Sequence, residues 1–226
     1  MGLRLTDHYI ARAGWTLPEP SESLLLDYVL AANGTFARGV RPGLEVCMPV
    51  SFNLQLVRGL AEVSPYVRWG YPKVPREIVE AMVTISRGLC QPLPREALFH
   101  LSADGWREPI QESIACPDES HLACRGGWHL EYPDQQATHD FVRPTAIGSG
   151  SSTERALIEV HSHHSMRSEF SAQDNEDESQ GFRVYGVIGN ILAAPEIRAR
   201  VGLFGHFWEW EAAMFFELPD GLIDCR

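Results

Sequence analysis

Residues 155–163, Arg-Ala-Leu-Ile-Glu-Val-His-Ser-His, run an apolar strand directly into two histidines one residue apart. Side chains alternate across a strand, so positions i and i+2 share a face, and His161 and His163 can both reach one ion. Seven residues separate His163 from Ser171, and Asp174 lies three further on. Two imidazoles and one carboxylate around zinc leave the fourth tetrahedral position open for water, which is the catalytic arrangement. The pair Ser171-x-x-Asp174 also reads as a capping-box-like helix start, with an acid favoured in the first turn. The whole spacing, H-x-H-x7-S-x2-D, recurs by chance about 10⁻³ times in a chain of this composition, which favours metal.

The elements around this segment define the setting. The first seventy residues are rich in turns and short apolar runs, with Asn33-Gly34-Thr35 as a hairpin signal, and read as a small β-rich unit over 1–68. The stretch 64–75, with Pro65, Pro72 and Pro75, suits a connector. Beyond it Ile78, Met82, Ile85 and Leu89 recur at helical spacing, from Pro75 at the start to Gly88 near the end. Residues 96–110 give two strand-like runs around an Asp-Gly turn. The polar segment 112–153 reads as an insertion or loop rather than core. Strands are expected over 155–163 and 182–192, with two more in 201–218. Helices and strands without strict βαβ alternation indicate an α+β protein with a mixed sheet.

Composition narrows the partners. Nineteen basic against thirty acidic side chains give a formal charge of −11. Such a surface repels phosphate backbones and anionic lipid, so neither nucleic acid nor a membrane is expected. No stretch approaches the roughly 18 apolar residues of a spanning helix. Asp7, His8 and Arg12 interrupt the first apolar run, so it is not a signal peptide. Five cysteines, odd in number and without a CxxC pair, argue against a disulfide framework or zinc knuckle and suit a reducing cytoplasm. His129-x-Glu131 matches half of the zinc-deaminase pattern, but no CxxC follows. H-E-x-x-H, G-x-S-x-G and a Walker loop are absent.

The segment 161–174, HSHHSMRSEFSAQD, resembles the signature of the JAMM metalloproteases, the JAB/MPN domain family. Within that family the chain is similar to the prokaryotic members called PRTRC system protein A. That likeness lies in VLAANGTF, HSHHSM, FRVYGVIG and FFELPDGLID. The resemblance implies a JAB/MPN (cytidine-deaminase-like) mixed sheet flanked by helices over 69–226, behind the β-rich unit at 1–68. It implies one zinc ion per chain on His161, His163 and Asp174, with Ser171 helping to hold the oxyanion. It also requires an upstream glutamate on a strand after the first helix, and Glu96 in PREALFHLSADG is the choice. Glu77, Glu80, Glu108, Glu112 and Glu119 compete with it. The residue after the second motif histidine is His164 where most members have proline, and a solvated or supporting imidazole is expected there rather than a ligand.

The activity so implied is hydrolysis of a peptide or isopeptide bond after the C-terminal glycine of a ubiquitin-like or sulfur-carrier protein. Glu96 would serve as general base, and a ThiF-like adenylating protein is the implied partner. The alternative is a non-catalytic MPN-type scaffold. The segment 112–153 is a candidate for part of the substrate channel or an ordinary surface loop.

Overall fold

Alternating burial along short strands shapes both halves of the chain. The computed structural model describes residues 5–22, 24–90, 94–103, 121–139, 141–146 and 150–226, with the backbone alone over 121–124. The chain divides into two compact units. One is Met1–Gly70 with Ala172–Phe182 and Val201–Trp208, and the other is Tyr71–Ser171 with Arg183–Arg200 and Glu209–Arg226.

In the first unit, β1 (Thr6–Ile10), β2 (Leu26–Ala31), β3 (Gly34–Arg41), β4 (Leu44–Phe52) and β5 (Tyr66–Trp69) form a sheet in chain order. β1 runs parallel to β2, and the later pairs are antiparallel. The expected hairpin is present: Ala31 faces Gly34 across a two-residue turn of Ala32 and Asn33. Gly34 is required by space, because any side chain there would collide with the Ser51 carbonyl oxygen. Val29, Ala31, Phe36 and Cys47 build a core with Ala11, and Tyr9, Leu17 and Tyr66 pack against it. Beside them Arg38 holds Asp27 through two bonds of 2.7 and 3.0 Å, both residues buried.

The connector expected at 64–75 is in part a strand. Tyr66–Trp69 pairs with Leu44–Cys47, so the boundary expected at 68 falls inside β5. Pro65 and Pro72 flank that strand instead of interrupting its ladder, which is where proline is tolerated.

The helix expected after Pro75 is α1 (Arg76–Gly88). It buries Ile78, Val79, Met82, Val83 and Ser86, while Ile85 and Leu89 are half-buried. The larger sheet is built from β6 (Leu98–Ala103), β7 (His121–Arg125), β8 (Trp128–Glu131), β11 (Ile158–Ser162), β12 (Phe182–Gly189), β13 (Glu196–Leu203) and β14 (His206–Trp210). Its order is β14-β13-β12-β11-β6-β8-β7, with β15 (Ile223–Asp224) parallel to β13. β9 (Gln135–Ala137) and β10 (Val142–Pro144) pair separately. Two short helices, α2 (Ser152–Arg155) and α3 (Ala172–Asp177), flank β11 in sequence. β11 is antiparallel to β6 and parallel to β12, so the sheet is mixed and the protein α+β with sheet predominating.

Residues 112–153 were expected to be insertion, and their described part is largely structural. β7 and β8 form a hairpin on the sheet, with Trp128 and Leu130 fully buried. Gly126 (φ 58°) and Gly127 (φ 77°) make the two-residue turn, both in the left-handed region that type I′ turns require. The Asp-Gly turn expected at 104–105 lies outside the described residues. No helix among the described residues is long and apolar enough to cross a membrane.

Candidate metal centre

β11 brings both motif histidines onto the sheet. It lies between two neighbours, and His161 is level with Leu98 of β6 and Val187 of β12. The pairing continues past the strand end: Ser162 N–H donates to the Ala97 carbonyl, and His163 N–H donates to the Ile188 carbonyl. Backbone on both sides thus fixes His161 and His163, and both are buried.

Their imidazoles converge. His161 Nε2 and His163 Nε2 lie 3.2 Å apart. The Nδ1 of His163 is 2.9 Å from the Arg167 carbonyl oxygen, which can only accept, so Nδ1 carries the proton and Nε2 presents a lone pair. Ligand atoms of His161, His163 and Asp174 all lie within 4.8 Å of one another. Asp174 sits in the first turn of α3, so the helix-start reading and the ligand reading of Ser171-x-x-Asp174 describe one place. Ser171 is exposed, immediately ahead of that helix.

Zinc fits these donors. Bonds of about 2.0 Å to two nitrogens of a tetrahedron place them about 3.3 Å apart. The observed spacing matches that edge, and Asp174 as a third ligand would leave one position for solvent.

Glu96 stands two residues ahead of β6 rather than inside it, 3% exposed, with Oε1 3.9 Å from His163 Nε2. Among its competitors, Glu77 and Glu80 are exposed on α1, and Glu77 pairs with Arg125. Glu108, Glu112 and Glu119 lie outside the described residues.

Of the two readings of His164, the solvated one fails: the residue is buried, its Nε2 is 2.9 Å from the His139 carbonyl oxygen, and the two rings lie 4.3 Å apart. The loop that carries it crosses Gly189 closely enough that a side chain there would strike the backbone of Met166, Arg167 and Ser168. Phe170 meets His161 edge-on and takes the Arg200 guanidinium over its face at 3.8 Å.

A buried polar row behind His161 gave no motif signal. Glu159 shares its face of β11 and lies level with His100 of β6. Burial alone would raise the pKa of Glu159, but the close approach of His100 and the charges of Arg183, His100 and His161 outweigh it and hold the pKa below the ordinary carboxylate value. Arg183 reaches Glu159 at 3.2 Å. The only signal available in sequence was the polar residues of the strands 98–103 and 158–162.

No family model matches the chain, and no curated protein matches it.

Proposed function

We propose that the protein is a zinc-dependent peptidase or isopeptidase of the JAMM type, on a JAB/MPN fold, acting after the C-terminal glycine of a ubiquitin-like or sulfur-carrier protein. One observation carries the reading: two imidazole nitrogens 3.2 Å apart on adjacent same-face positions, with a buried carboxylate opposite the second. The motif resemblance supplies the bond type and the ThiF-like adenylating partner.

His161, His163 and Asp174 would hold the ion. Zinc in such a site supplies Lewis acidity and makes hydroxide available near neutral pH. Glu96 would take the proton of the attacking water and return it to the departing amine. Its burial suits a carboxyl that must gain and lose a proton during turnover. The Ser171 hydroxyl would donate to the oxygen that becomes negative in the tetrahedral transition state.

The test is metal content followed by cleavage. Purified protein is expected to carry one zinc per chain and to cleave a ubiquitin-like substrate fused through its terminal glycine. Chelation should abolish cleavage while the circular-dichroism spectrum stays folded. Folded protein that takes up no zinc supports a scaffold, and unfolding on chelation makes the metal structural.

A further inference from the structure

We propose that Ser152, His100 and Glu159 form a second, zinc-independent nucleophilic centre, able to accept acyl groups from small activated esters. Ser152 Oγ lies 2.8 Å from His100 Nδ1, and His100 Nε2 lies 3.3 Å from Glu159 Oε2. Hydroxyl, imidazole and carboxylate in that order, each within contact of the next, are a nucleophile, a base and the group that orients the base.

The chemistry of the donors fixes the direction of each bond. Arg183 pairs with Glu159 at 3.2 Å, and a carboxylate oxygen accepts. Nε2 faces that oxygen at 3.3 Å without forming a hydrogen bond, and the tautomer protonated there leaves the Nδ1 lone pair to receive the Ser152 hydroxyl. His100 is fully buried between Glu131 and Glu159 in the register, and Arg155 neutralises Glu131 at 2.9 Å. Ser152 is half-buried, while the imidazole behind it is fully buried.

With an aryl ester, Ser152 Oγ bonds to the acyl carbon as its proton passes to His100 Nδ1. The carbon–oxygen bond to the phenol then breaks, and the phenol leaves with that proton. Water attacks the acyl-serine, His100 takes its proton and returns it to Ser152 Oγ, and the carboxylic acid departs. No other reactant is needed.

The probe is a fluorophosphonate, applied to the full chain in the presence of a chelator, with the labelled peptide mapped by mass spectrometry. The expected result is one adduct per chain on Ser152, formed on the order of 10²-fold more slowly in His100→Gln. Glu159→Gln should slow it as well, because its amide can donate to Nε2 and reverse the tautomer. It stands in if His100→Gln does not fold. Absence of label on Ser152, or labelling at an unchanged rate in the folded variants, overturns the proposal. Labelling that disappears with chelator overturns its independence from zinc. Loss of zinc-dependent cleavage alone leaves this centre standing.

Discussion

Glu96 Oε1 lies 3.9 Å from His163 Nε2, just past the paired ends of β6 and β11. His161 is level with Leu98, and the Ser162-to-Ala97 backbone bond carries that antiparallel register one residue further. Glu96 and His163 each lie one residue beyond that pair on their own segment. Glu96→Gln keeps the shape and loses the proton acceptor. It should retain zinc yet cut turnover by about 10²–10⁴-fold. Metal analysis alongside a cleavage assay checks this, and undiminished turnover would move the role to another glutamate.

Gly189→Ala acts on the loop over the site. The added methyl would meet backbone atoms of Met166, Arg167 and Ser168, which cannot swing aside as a side-chain tip can. A loss of about 1–3 kcal/mol is expected from the overpacking. Zinc affinity should fall with it, because Arg167 fixes the His163 tautomer. Urea titration and zinc titration of the variant read the two effects separately.

Asp27→Ala tests the first unit. Arg38 is 4% exposed and would be left charged in the core, at a cost of about 3–5 kcal/mol. Urea midpoints at neutral pH measure it. A change below 1 kcal/mol would mean that water reaches the guanidinium.

Acid should weaken the first unit through His206. Burial holds its pKa below the ordinary histidine value, and its Nε2 lies 2.8 Å from the Tyr28 hydroxyl. The unfolded chain therefore binds this proton more readily than the folded one. That contribution to stability is present above the unfolded value of about 6.5 and is lost as pH falls through the lower folded value. Replacing His206 with glutamine should flatten the loss of stability between pH 7 and pH 5. An equally steep loss in the variant would assign it to another group.

Much of this arrangement was legible because local pattern and tertiary role agree. The apolar run into His161 and His163 is a strand, the Asn33-Gly34 signal is a hairpin, and Pro75 opens a helix. The hairpin 121–131 was missed because its polar flanks masked Gly126-Gly127, itself a two-residue turn signal, and because the weight of Trp128 comes from packing. β13 begins at Glu196, earlier than expected, since Ile197, Ala199 and Val201 alternate with arginines in a period-two pattern. Which of its two readings His164 takes was not legible, because its partner His139 is twenty-five residues away and no local pattern encodes that contact.

The register of β6 against β11, which sets where the segments of Glu96 and His163 begin, also limits how this chain can change length. A strand advances about 3.3 Å per residue and turns its side chain over at each step. Losing one residue between Leu98 and Ala103 would swing the carboxylate to the opposite side of the sheet, whereas losing two would keep its side and displace it by a full pleat. Descendants of this sequence are therefore free to vary in the segments leading to these strands, and nearly frozen in residue count within them.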